Sequence, residues 1–207
     1  MMQASTTIID YVLPVRRSRA MTYTRDIALV VLGSILLVLC SQIKFYLFSP
    51  YVPFSMQPFA VVLLGAALGK WRGATAVLLF LTEGVAGLPV FSNGGSVLYL
   101  LTQPTAGYLL SYPLAAFVIG WCCERRLDRH YRTSFLAMLP GMVVIYVVGV
   151  AWLSVWLHGN VLQAIMTGAL PFLIGDVLKM VVASLLLPFS WSLVRRFRGE
   201  TLRGEVF

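Results

Sequence analysis

Asp176 and Lys179 stand in the middle of an apolar run, LPFLIGDVLKMVVASLLLPFSWSLV at 170–194. Three residues apart, they share one face of a helix. A charge within a membrane helix costs at least ~2.5–3.5 kcal/mol and usually marks function. Two readings follow. The pair neutralises itself, or Lys179 takes an anionic group while Asp176 accepts donors from a ligand or orients the lysine. Glu83 is a third ionisable candidate, near the end of another apolar run, where exposure at the interface explains it equally well. Gln57 and Asn93 add amide donors and acceptors in two unusual loops, although Asn93-Gly94 is also a turn signal. Aromatic residues gather near the same end: Tyr46, Tyr51, Phe91, Tyr99, Tyr108 and Trp152. Most fit an interfacial belt. One or two are expected to stack on a ring, and Tyr108 joins the candidate ligand-binding set.

The known catalytic patterns are missing. There is no HExxH, GxSxG or CxxC, and His130 and His158 fall in separate loops, so no metal site and no catalytic residue is expected. Gly65-Ala-Ala-Leu-Gly69-Lys70 imitates a phosphate loop, but its first glycine is one residue too close and Trp71 replaces the hydroxyl residue. Gly65, Gly69 and Gly73 read instead as a small-residue stripe for close helix packing. Any transport must draw energy from an ion gradient or a partner.

The elements that position these residues are membrane helices. Of 207 residues, 59% are apolar and 12% charged, against ~25% charged in soluble domains. Apolar runs at 26–48, 58–69, 74–85, 105–123, 135–157 and 170–194 predict an all-α membrane protein, a six-transmembrane-helix bundle. The net charge of +8 is clustered at 16–25, 70–72, 125–132 and 195–203. With six spans those clusters share one side, so both termini are expected to be cytoplasmic. This charge pattern points to topology and lipid headgroups rather than nucleic acid. Only Lys44 and Lys179 escape it. The expected organisation is a basic arm or interfacial helix at 1–25, a membrane domain at 26–194 and a basic tail at 195–207. The first run is too long for a signal-peptide core and reads as a span. Cys40, Cys122 and Cys123 suggest no disulfide framework. The segment Gly84–Tyr108 carries no charged residue and is rich in glycine, so it should fold back on the protein as a lid and part of a ligand-site wall. Residues 158–168 read as a short loop.

Four segments carry a family resemblance: VPFSMQPFAVVLLGAALGKWRGA (52–74), LTEGVAGLPVFSNGG (81–95), PTAGYLLSYPLAAFVIGW (104–121) and PFLIGDVLKMVVA (171–183). In this order they resemble the BioY family, the biotin-specific substrate-binding (S) components of energy-coupling-factor vitamin transporters. The resemblance implies a non-enzymatic, multi-pass protein of the bacterial plasma membrane, with no cofactor and biotin as the transported ligand. It also implies a transmembrane T component and two ABC-type ATPases as partners. Asp176 and Lys179 match the acid and base of GDxxK, Asn93 follows GLPVF in the lid loop, and Gln57 closes the Pro-x-x-x-Gln segment. Lys179 is expected to meet the biotin carboxylate. Ala28 and Gly33 on the first span, with Gly65 and Gly69, are the expected partner-docking residues. Ala28 is followed four residues later by Leu32 rather than a small residue, and Gln103 stands before Pro104 where relatives often have glycine. Other readings are an S component for another vitamin or a biotin precursor, an ion-driven carrier, and an intramembrane enzyme acting on an acyl or lipid substrate through Glu83, Asp176 and Lys179.

Overall fold

The computed structural model describes residues 7–13, 19–45, 51–91 and 101–197. Described helices are α1 (Ile8–Val12), α2 (Arg19–Gln42), α3 (Gln57–Leu68), α4 (Lys70–Val85), α5 (Ala106–Cys123), α6 (Tyr131–Trp156), α7 (Val161–Gly168) and α8 (Leu170–Phe197). A 3-10 turn at Leu127–Arg129 joins α5 to α6, and two short strands, β1 (Lys44–Phe45) and β2 (Phe54–Ser55), lie between α2 and α3.

Among the described residues, four helices are long and apolar enough to cross a membrane: α2, α5, α6 and the Leu170–Val194 part of α8. The predicted runs at 58–69 and 74–85 fold as α3 and α4, of 12 and 16 residues. At ~1.5 Å per residue these reach only ~18 and ~24 Å, short of a ~30 Å hydrocarbon core. They form a helical hairpin with a one-residue turn at Gly69, whose φ of 84° suits glycine. Glu124 holds that turn from α5's end: it accepts from the Lys70 amide at 3.0 Å and from Lys70 Nζ at 2.9 Å.

Helix α5 is the centre of the bundle, with Ala115, Ala116 and Ile119 fully buried. It packs on α3, α4 and α6. Close approach is set by missing side chains: a Cβ on Gly65 would stand 2.6 Å from the Ala116 carbonyl. Van der Waals contact of this kind holds helices together where lipid removes the hydrophobic drive.

Several boundaries differ from those expected. The first long helix runs from Arg19 to Gln42 rather than 26–48. Its charged first turns are neutralised across elements, because Asp26 and Asp10 both pair with Arg25 and Arg72. Beyond Gln42 the chain turns into β1, which pairs antiparallel with β2, Lys44 opposite Ser55 and Phe45 opposite Phe54. The end of the arm is docked: Thr7 and Ile8 are buried, Thr7 caps α1, and Tyr11 meets Trp191 of α8 edge-on at 5.6 Å. The expected loop at 158–168 contains α7, started by Asn160, whose side chain accepts from the Gln163 amide at 3.0 Å.

Candidate functional site

Helix α8 brings the two charges inward. Lys179 Nζ donates to Asp176 Oδ1 at 2.8 Å, and the two side chains are only 10% and 9% exposed. Both partners are then satisfied from elsewhere. Tyr146 of α6 donates its hydroxyl to Asp176 Oδ2 at 2.6 Å. Lys179 Nζ donates to the Ser55 carbonyl of β2 at 2.6 Å and sits 3.8 Å from the centroid of the Phe54 ring. The ammonium has three protons. A carboxylate, a carbonyl and a ring face account for all three directions. Gly175 makes this possible, because any Cβ there would collide with the Phe54 ring. That ring also stacks on Phe172 one turn earlier, at 6.5 Å and 16°.

A cavity of about 40 Å³ opens beside the pair. Its polar wall is Tyr108, Tyr112 and Tyr146, and its apolar wall is Val52, Pro58 and Phe172. On the other side of the same pair, Pro58, Phe59, Val62, Met142 and Met180 form a tight apolar contact region. The pair therefore joins two chemistries: hydroxyls and rings on one side, flexible thioethers on the other.

The expected residues part company here. Asp176, Lys179 and Tyr108 meet at the cavity. Tyr108 donates to the Gly168 carbonyl at 2.7 Å, which ties α5 to the end of α7. Gln57 is buried at the start of α3, between lining residues Ser55 and Pro58, without itself lining the cavity. Glu83 faces another interface: its Oε2 accepts from the Ser34 hydroxyl of α2 at 2.6 Å, and it is not among the lining residues. Asn93 lies outside the described residues. The start of its loop does fold back, with Val90 and Phe91 buried, Phe91 edge-on to Phe80 at 5.4 Å, and the Val90 carbonyl bonded by Ser41 at 2.7 Å. Tyr146, Phe54, Ser55 and Phe172 were not singled out from the sequence; the only available signal was their aromatic or polar type near the expected site.

The expected docking residues also divide. Ala28 is exposed on α2. Gly33 is buried, and a Cβ there would lie 2.8 Å from that of Ala76 on α4. Gly65 faces α5, and Gly69 forms the α3–α4 turn against Glu124. These three glycines serve packing inside the bundle: Gly33 against the Ala76 and Leu64 side chains, Gly65 against the Ala116 backbone, and Gly69 against the Glu124 and Thr7 side chains. Among the described residues no group of three or more His, Cys, Asp or Glu is placed to hold a metal ion.

A solved chain described as the S component for biotin from an ECF-type ABC transporter superposes with a TM-score of 0.71, at 21% identity, over 90% of this chain and 96% of that one. The fold is thus that of an ECF S component. The biotin transporter BioY of Thermotoga maritima is 38% identical over 135 residues, 65% of this chain and 78% of that protein. Its counterpart in Rhizobium etli is 38% identical over 143 residues, 65% and 75% of the two chains. A probable biotin transporter BioY of Lysinibacillus sphaericus is 33% identical over 159 residues, 74% and 81%. The BioY family model matches residues 10–196, nearly the whole described bundle with the Asp176–Lys179 pair inside it, and the chain belongs to that family.

Proposed function

We propose that this chain binds biotin at the Asp176–Lys179 cavity and delivers it inward as the S component of an energy-coupling-factor transporter. The observation that carries the reading is the buried ion pair bridged to Tyr146 and walled by Tyr108, Tyr112 and Phe172. Family membership supplies the ligand class. The protein is multi-pass, not an enzyme, and resides in the bacterial plasma membrane, the inner membrane where there are two. Helices α3 and α4, each short of the hydrocarbon thickness by itself, complete six spans together with the segments that flank them, with both termini cytoplasmic. The basic clusters at 70–72 and 125–132 support that orientation. Uptake is energised by a T component and two ABC-type ATPases.

The geometry favours a different ligand orientation from the one expected. Lys179 already has Asp176 at 2.8 Å, so the pair is neutral overall. A biotin carboxylate brought to Lys179 would also meet the charge of Asp176. The ureido ring has two N–H donors and a carbonyl, and matches an acceptor and a donor held side by side. On this reading the ureido N–H groups bond Asp176, its carbonyl bonds Lys179, and the carboxylate points away. The cavity of about 40 Å³ holds little more than a water, so biotin displaces β2 and takes over the lysine directions now held by Ser55 and Phe54.

Equilibrium binding to the purified protein in detergent, with dethiobiotin, biotinamide and thiamine as competitors, tests this. Biotin preferred over thiamine, with biotinamide within a few-fold of biotin, is the expected result. Loss of biotinamide binding would return the carboxylate to Lys179, and no biotin binding in a folded sample would refute the ligand. ATP-dependent uptake only with the T component and ATPases present is expected in vesicles; concentrative uptake by the chain alone would favour an ion-driven carrier.

A further inference from the structure

A second cavity lies on the outside of the bundle between α6 and α8. It has a volume of about 460 Å³, within the ~300–1,000 Å³ typical of ligand sites. Phe135 and Leu136 of α6 and Val181 and Leu185 of α8 form its walls, while Tyr131 and Arg132 stand at its mouth. The one hydroxyl in the wall, on Ser184, donates to the Val181 carbonyl at 2.8 Å, so the groove asks for no polar partner.

Its long axis follows from register. Tyr131 and Arg132 begin α6, close to Asp128, which bonds Trp191 of α8. Leu185 and Val181 stand six and ten residues before Trp191, so at ~1.5 Å per residue the walls rise ~9–15 Å from the charged end. The groove therefore runs from a polar boundary into the apolar zone.

Among the described residues, the mouth is cationic without a competing acid. Arg132 is exposed, and its one hydrogen bond among the described residues runs from Nε to Tyr131 Oη at 3.0 Å. The acids of the same loop are engaged elsewhere: Glu124 by Lys70, and Asp128 by Trp191 and Arg129. The outer edge of the Arg132 guanidinium thus presents paired N–H groups suited to a phosphate.

We infer that this groove binds an anionic phospholipid, with one acyl chain between α6 and α8 and the phosphate on Arg132. The inference rests on α6 and α8 spanning a membrane, not on the identity of the transported ligand. A basic pocket between membrane helices at a headgroup boundary is the setting in which such lipids are held.

The test uses the full chain, purified and stripped of lipid. Native mass spectrometry then follows retention of phosphatidylglycerol and phosphatidylcholine with identical acyl chains. Phosphatidylglycerol should be retained preferentially. Arg132→Gln should lower its retention roughly fivefold and leave phosphatidylcholine unchanged. Leu136→Trp, which fills the groove, should lower both. An unchanged melting transition reports that each variant is folded, whether or not biotin binds. Equal retention of the two lipids, or no effect of Arg132→Gln, would overturn the assignment. A crosslink from position 136 to the T component that excludes the lipid would instead make the groove a partner-helix seat.

Discussion

The molecule buries an acid at each end, and the two are built differently. Asp176 has its cation on its own helix, a hydroxyl from a second helix, and a cavity alongside. Asp128 is fully buried, accepts from Trp191 Nε1 at 2.6 Å, and has Arg129 Nε at 3.5 Å, with the Arg129 guanidinium 3.2 Å above the Trp191 ring. Neither the cavity beside Asp176 nor the groove between α6 and α8 is lined by it. One acid has open space beside it; the other sits in the turn between α5 and α6 and ties it to α8. Burial of a carboxylate is therefore not what identifies a binding site. Adjacent space and partners that a ligand can replace are the discriminating features.

The largest effect should come from Lys179→Ala, which leaves Asp176 buried without its cation, a loss of ~3–5 kcal/mol for a broken buried pair. Biotin affinity should fall at least ~100-fold by titration calorimetry, while insertion into the membrane is retained. Unchanged affinity would move the site elsewhere.

Asp128→Ala should instead act on stability, lowering it by roughly 1–3 kcal/mol by removing the acceptor of a buried indole N–H. Biotin binding at permissive temperature should stay near wild type. The ends of the basic face also respond oppositely to pH. Burial pushes the Asp128 carboxyl up, against the Trp191 bond and the Arg129 charge, so its contribution is greatest in acid and is lost as pH rises from the ordinary carboxylate value through the raised one. At Asp10 burial also raises, but Arg72, Thr7 and Arg25 together win and hold the carboxyl below its usual range; its contribution is lost as pH falls below that range. Melting curves of Asp128→Asn and Asp10→Asn against pH should differ from wild type with opposite slopes. Parallel slopes would show that the two acids play the same part.

Tyr146→Phe is a smaller perturbation. It removes one hydroxyl from Asp176 and should weaken biotin binding by roughly 3–10-fold in the same titration. Glu83→Gln should change affinity by less than about threefold, since the Ser34 hydroxyl can bond an amide as well as a carboxylate. A large loss there would place Glu83 back with the ligand.

The Asp176–Lys179 pair was readable because charge in an apolar run has few innocent explanations and a three-residue step fixes a shared face. Tyr146 was not, since one tyrosine among many apolar residues of α6 carries no mark of the helix it will face thirty positions later. The direction Glu83 faces was hidden for the converse reason. Its distance from the glycine-rich loop along the chain gave its height, but its azimuth, toward Ser34, is set by how α2 packs on α4. The six apolar runs do fall on helices, of which four are long enough to cross a membrane, while two further short helices among the described residues carry no run of their own. The β1–β2 pairing was hidden because two-residue strands have no period, and α7 because a helix of eight residues resembles a loop, although Asn160 as a cap was an available sign.

The contact between Lys179 and the Ser55 carbonyl joins positions 124 residues apart. During synthesis, Ser55 emerges long before the helix that will engage it. The β1–β2 pair is therefore made before the lysine of α8 that will bond its Ser55 carbonyl. Because Asp176 sits one turn from Lys179, that helix enters the bilayer carrying its own counter-ion. The cavity beside the pair is thus completed late, and a chain stopped short of residue 176 would have the walls of that cavity but none of its charge.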